Sequence, residues 1–133
     1  MTEAARILQQ ARTIAVVGAS PRPARPSHGV MRYLLAQGYR CIPVTPRADE
    51  VLGVPAVASL AEIDEPIDLV DVFRRPELCA AHAREAVDVG AKALWLQLGI
   101  VSPEARRIAE EAGLAYVEDA CTAIVHRSEL GRR

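Results

Sequence analysis

Short apolar runs alternate with amphipathic stretches along the whole chain. The runs cover residues 14–17, 40–44, 67–73, 93–98 and 114–117. They are bounded by glycine, proline or charged residues, and most show no polar alternation. This is the pattern of strands buried on both faces of a parallel sheet. Between them apolar residues recur at helical spacing. Ala4, Ile7, Leu8 and Ala11 share one face of a predicted helix over 3–10. Val30, Met31, Leu34 and Leu35 line another, with Ser27 as its predicted N-cap and Gly38 at its end. Pro76 suits the first turn of a third helix, which stops at Gly90. Ser102-Pro103-Glu104 opens a fourth, closed by Gly113. Residues 51–57 read as a turn plus a short extended piece, and Ser59 precedes a short helix over 60–63. The tail, 121–130, fits either a strand or a final helix.

Five strand–helix alternations predict an α/β fold: a single Rossmann-like domain over 1–133, with a doubly wound parallel sheet of about five strands and helices on both faces. Ligands of such sheets sit beyond the carboxyl ends of the strands, near the point where strand order reverses. The loops at 18–27, 45–47, 73–75 and 97–100 are therefore the predicted site.

Those loops carry anion-binding chemistry. The first strand runs into the small-residue turn Gly18-Ala19-Ser20, then Pro21-Arg22-Pro23-Ala24-Arg25-Pro26-Ser27 and a helix. Small side chains let backbone N–H groups approach a phosphate, and the helix N-terminus adds partial positive charge. The dinucleotide fingerprint G-x-G-x-x-G has an acid some twenty residues on that binds a ribose hydroxyl. Here Ser20 replaces the middle glycine, and the second strand ends in Thr45-Pro46-Arg47 rather than an acid. A cation there favours a phosphorylated ribose. Plain NAD is disfavoured, and NADP and coenzyme A (CoA) both remain open.

Composition narrows the partners. The net charge of −1 gives no general pull toward nucleic acid or anionic membrane. Residues 2–12 read as polar and helical rather than as a secretory leader, no apolar run is long enough to span a bilayer, and a cytoplasmic location is expected. Cys41, Cys79 and Cys121 form no C-x-x-C pair and read as reduced thiols. Cys121 reads as a small buried hydrophobe. The three histidines have no metal-ligand spacing, and no catalytic triad or paired carboxylates stand out. Asp71, inside a strand, reads as a buried acid paired with an arginine; Trp95 reads as core.

Gly18-Ala19-Ser20, Arg25-Pro26-Ser27, Val44-Thr45-Pro46-Arg47, Val70-Asp71-Val72-Phe73-Arg74-Arg75 and Leu94-Trp95-Leu96-Gln97-Leu98-Gly99 occur in this order. Together they resemble the small stand-alone CoA-binding domain proteins of bacteria. They are also similar to the CoA-binding domain that opens the succinyl-CoA synthetase alpha subunit. The resemblance implies backbone contacts from Gly18, Ala19 and Ser20 to a pyrophosphate, with Arg25 and Ser27 adding a charge and a hydroxyl. It implies that Val44, Thr45 and Pro46 line the adenosine, and that Arg47 reaches the 3′-phosphate. Phe73 and Arg74 would wall the adenine or ribose, and Gln97, Leu98 and Gly99 would border the pantetheine path. No catalytic role carries over to His126. The resemblance thus implies non-catalytic binding of CoA or an acyl-CoA. An NADP-dependent oxidoreductase and a CoA-binding subunit of an acyl-CoA ligase complex are the alternatives. A homo-oligomer or a ligase partner is left open.

Overall fold

In the computed structural model, which describes residues 1–131, the elements run α1 (Glu3–Gln10), β1 (Thr13–Val17), α2 (Pro26–Ala36), β2 (Arg40–Val44), β3 (Glu50–Val51), β4 (Val54–Pro55), β5 (Leu69–Val72), α3 (Pro76–Asp88), β6 (Ala93–Leu96), α4 (Pro103–Glu111), β7 (Ala115–Val117) and α5 (Thr122–Glu129). The last two residues of the expected domain, 132 and 133, lie outside the described residues. Five strands form one all-parallel sheet in the order β2-β1-β5-β6-β7. The predicted doubly wound α/β architecture is therefore present.

The alternation of side chains along each strand builds two cores. Ala15, Val17, Val70, Val72, Leu94 and Leu96 share one, with Cys79, Ala83 and Ala86 of α3 and Ala105 and Ala109 of α4. Alanines let these two helices lie close to the sheet. Ile14, Val16, Leu69 and Trp95 face the other core, with Ala5 and Leu8 of α1 and Met31 and Leu34 of α2. Trp95 is fully buried, and its Nε1–H donates to the Ala120 carbonyl at 2.8 Å. Its polar edge is thus satisfied inside the core.

The strands end earlier than their apolar runs. Phe73 N–H donates to Val17 O at 2.8 Å, and Gln97 N–H donates to Val72 O at 3.2 Å. Beyond those bonds the neighbouring strand has turned away. The link from β2 to β5 holds a hairpin (β3 with β4) and a 3₁₀ turn, Leu60–Glu62, instead of a long helix. The tail is a helix: α5 caps the second core near α1 and α2, with Ala123, His126 and Leu130 buried. Ser27 is not the N-cap of α2. Arg25 holds that place without a side-chain bond, Pro26 is the first helical residue, and Ser27 sits buried within the first turn. Proline's fixed φ starts the helix two residues earlier than the serine suggests.

Candidate functional site

Sheet order places the site. From β1 the chain steps outward to β2, then crosses back to β5 on the other side of β1. The crevice between these opposed connections opens beyond the carboxyl ends of β1 and β5. Along this edge the loops after β2, β1, β5 and β6 stand in a row. Three strand spacings separate its ends, about 14 Å.

Gly18 is held by the fold itself. Its φ is +85°, and a Cβ there would lie 2.5 Å from the Phe73 carbonyl oxygen and 2.8 Å from Arg74 Cδ. Its N–H is already given to Val44 O at 3.0 Å. The backbone contact expected from Gly18 therefore has no free donor behind it. The Ala19 and Ser20 N–H groups do remain without a partner among the described residues. Ser20 Oγ accepts from Arg22 N–H at 3.1 Å, and Arg25 N–H donates to Arg22 O at 3.0 Å. These bonds fold the proline–arginine loop and deliver the N-terminus of α2 to the edge.

Across the crevice, Thr45 is buried and its Oγ1 accepts from Arg47 N–H at 3.1 Å, so the turn after β2 is fixed and Pro46 and Arg47 point outward, exposed. Arg74 is half-buried against Gly18, with half-buried Phe73 before it. Arg75 is exposed and lies 3.6 Å from Glu77. By contrast Arg22, Arg25, Arg47 and Arg74 have no carboxylate within ion-pair distance among the described residues. Four guanidinium groups at one edge without counter-charges, beside two open N–H groups, make an anion-receptive surface.

Other site residues differ from expectation. The Val44 side chain faces the first core, leaving only its backbone at the edge. Gly99 N–H is taken by Asp119 Oδ1 at 2.7 Å, so the loop after β6 is tied to the one after β7. Leu98 stands 64% exposed. Gln97 is buried, and its Nε2 donates to Asp71 Oδ1 at 2.6 Å and to Thr122 Oγ1 at 2.9 Å. Thr122 Oγ1–H donates to Asp71 Oδ2 at 3.1 Å. Asp71 is thus partnered by an amide and a hydroxyl, and the arginine expected beside it is not there. Burial raises its carboxyl to about 7 against the pull of these two bonds. Asp71 and Thr122 were missed as site residues. An acid in an otherwise apolar strand was the available signal for the first; the second lay in the ambiguous tail.

Two further polar groups bear on the site. His28, in the first turn of α2, has a buried Nδ1 with no hydrogen-bond partner among the described residues. His126 lies elsewhere, with Nδ1 2.8 Å from the Tyr33 hydroxyl and its ring edge-on to Tyr33 and Tyr39. Burial raises the Cys41 thiol to about 12 and the Cys79 thiol to about 11, which keeps both protonated and inert. A concavity of about 620 Å³ opens at the opposite end of the sheet, where α1 and α2 finish. Its lining includes Gln10, Gln37 and Tyr39 but one arginine, Arg12, so the anion-binding groups are not collected there.

Comparison with known proteins matches this arrangement to a family. The model of the CoA binding domain family matches residues 12–127. The chain belongs to the CoA-binding domain family. YneT of Bacillus subtilis (strain 168) is 46% identical over 124 residues, covering 93% of this chain and 92% of its own length. A solved hypothetical protein from Pyrococcus horikoshii OT3 is 39% identical with a TM-score of 0.95, over 98% of this chain and 94% of that one. An acetyl-coenzyme A synthetase 1 from Ca. Korarchaeum cryptofilum shares the fold alone. It is 23% identical with a TM-score of 0.70, over 78% of this chain and 25% of its own. No helix of this CoA-binding domain, among the described residues, is long and apolar enough to cross a membrane.

Proposed function

We propose that the chain binds coenzyme A or an acyl-CoA at the carboxyl edge of its sheet, and that binding rather than catalysis is its role. The nucleotide end lies over the loops after β1 and β2, with the Ala19 and Ser20 N–H groups and Arg25 at the pyrophosphate and Arg47 at the 3′-phosphate. Thr45 and Pro46 flank the adenosine, and Phe73 and Arg74 form the opposite wall. The pantetheine arm runs toward Gln97 and Leu98. One observation carries this reading: the loops that flank the switch point carry guanidinium groups without counter-charges, among the described residues, and two unpartnered main-chain donors. A ligand with several phosphates supplies the acceptors and the charge that this edge lacks. Ser27 Oγ, which makes no hydrogen bond among the described residues, offers one more donor. The family match supports the same ligand.

Calorimetry with CoA and with dephospho-CoA tests the proposal. CoA is expected to bind and dephospho-CoA to bind at least tenfold more weakly, the factor that about 1.4 kcal/mol at Arg47 represents. Equal affinities would remove Arg47 from the 3′-phosphate. No binding of either at millimolar concentration would end the proposal. Tight binding of NADPH in place of CoA would favour the oxidoreductase reading, since Arg47 suits any ribose phosphate.

A second reading concerns the setting. The fold recurs as a quarter of a larger synthetase chain, and we read this chain as able to serve a separate ligase subunit in the same way. Light scattering of the purified protein, with and without a captured partner, distinguishes a solitary binder from such a subunit.

A further inference from the structure

The three buried polar groups at the floor of the edge form a closed set with one opening. Asp71 is the next-to-last residue of β5, Gln97 follows β6 and Thr122 starts α5, so the set ties two strands to a helix that the sequence left unassigned. Both hydrogens of the Gln97 amide are spent inside, on Asp71 and Thr122. Its Oε1 makes no hydrogen bond among the described residues and is not sealed from solvent. An ionised Asp71 accepts hydrogen bonds and cannot donate one. With Asp71 Oδ1 only 2.6 Å away, turning the amide would set oxygen against carboxylate. The side chain is therefore locked with its carbonyl toward the edge.

We infer that Gln97 Oε1 is a fixed acceptor for an amide N–H of the ligand's pantetheine arm, and that Asp71 and Thr122 are positioning residues that hold it in that orientation. The inference rests on the CoA reading above and adds to it which arm group is read and by which atom. Pantetheine carries two amide N–H donors, and an exposed edge built of arginines and main-chain N–H groups offers few acceptors. Gln97 lies at the β6 end of the row of loops, three strands from Arg47, where an extended arm leaves the nucleotide.

The lock depends on the Asp71 charge. Protonated Asp71 tolerates either amide orientation, so the acceptor is held less firmly at low pH. The titratable groups on this face of the sheet are few. Cys41 of β2 interacts with Asp71, α2 contributes the buried His28 and the half-buried Tyr33, Tyr39 stands just before β2, and α5 contributes the buried His126. At the same register β1 and β6 present Val16 and Trp95, which do not titrate.

The experiment compares CoA with adenosine 3′,5′-bisphosphate, which has the same adenine and 3′-phosphate but no arm. In Gln97→Met, CoA affinity is expected to fall five- to twentyfold while bisphosphate affinity stays constant. The wild-type CoA-to-bisphosphate affinity ratio, divided by that of Asp71→Asn, should fall as pH drops from 8 to 6. Dividing by the variant removes the titration of the bisphosphate's own 5′-phosphate monoester, which the CoA pyrophosphate lacks. If Gln97→Met does not fold, Thr122→Val serves, since it loosens one tether; a smaller loss of the same ratio is expected. An unchanged ratio in these Gln97 or Thr122 variants overturns the acceptor. A wild-type ratio that runs parallel to that of Asp71→Asn across this range overturns the positioning role of Asp71. Failure of the wild type to bind CoA at all would instead sink the parent reading, so the two failures are distinct.

Discussion

At the scale of single residues, Gly18 separates what the fold needs from what the ligand needs. A glycine after the first strand reads naturally as a place for a phosphate to approach. In the structure its missing side chain makes room for the Phe73 carbonyl, and its φ of +85° excludes most other residues. Gly18→Ala should therefore destabilise the free protein by roughly 2–5 kcal/mol, combining backbone strain with overpacking against main chain. A thermal melt without ligand measures this; a melting temperature like the wild type's would contradict the clash. Arg25 and Arg47 should behave oppositely. Both are exposed and lack ion pairs among the described residues, so Arg25→Ala and Arg47→Ala should leave the melt unchanged. Each should weaken CoA by roughly 1.5–3 kcal/mol, the range for hydrogen bonds to charged groups. Calorimetry on the two variants decides it, and normal binding in both would move the site elsewhere.

At the scale of elements, the serines before two helices give a paired prediction. Ser102 Oγ accepts from Ala105 N–H at 3.1 Å and caps α4. Ser27 caps nothing, because Pro26 begins α2 ahead of it. Ser102→Ala should cost about 1 kcal/mol of stability, whereas Ser27→Ala should lose no cap and act on binding alone. Equal losses of stability in urea titrations of the two variants would show the cap assignment to be wrong. Ser27 also marks where sequence stops being informative. Strand runs and helix faces are legible because burial imposes a period, so α1, β2 and the start of α3 fall where the pattern places them. Loop chemistry was legible as residue types: the arginines and the small turn are at the edge. What was not legible is which hydrogen bonds were already spent. The Gly18 N–H, the Gly99 N–H and both hydrogens of the Gln97 amide are consumed by groups far away in sequence. Asp71 illustrates the same limit: a buried acid calls for partners, but only the packing of α5 shows that they are Gln97 and Thr122 rather than an arginine. The eight residues of α5 bury few apolar side chains, so no strong period announced that helix.

At the scale of the whole molecule, the Asp71 network couples stability and binding to pH in opposite senses. Its carboxyl titrates near 7 in the folded protein because it is buried, against about 3.9 in an unfolded chain. Between these values the native state holds a proton that the unfolded state has released. Stability from this group therefore falls as pH rises from about 4 to about 7, and is flat above. The drop is on the order of 4 kcal/mol at most. Asp68 works in another window. Burial pushes its carboxyl up, but N–H donation from Thr13 and Arg12, with Lys92 beside it, outweighs this and lowers it. Its stabilisation is lost only as pH falls through that lowered value, below the range in which Asp71 acts. Melting temperature against pH for the wild type and Asp71→Asn isolates the effect: the wild type should lose ground on the variant from pH 5 to pH 8, and parallel curves would refute it. The acceptor lock at Gln97 demands the ionised state that the fold disfavours. The rise in melting temperature on adding saturating CoA should therefore be larger at pH 8 than at pH 6, although the free protein is less stable there, because a ligand stabilises by its affinity for the native state. In Asp71→Asn the CoA-induced rise should change less across the same range, since the ligand's own phosphate titration is kept and the Asp71 charge is gone.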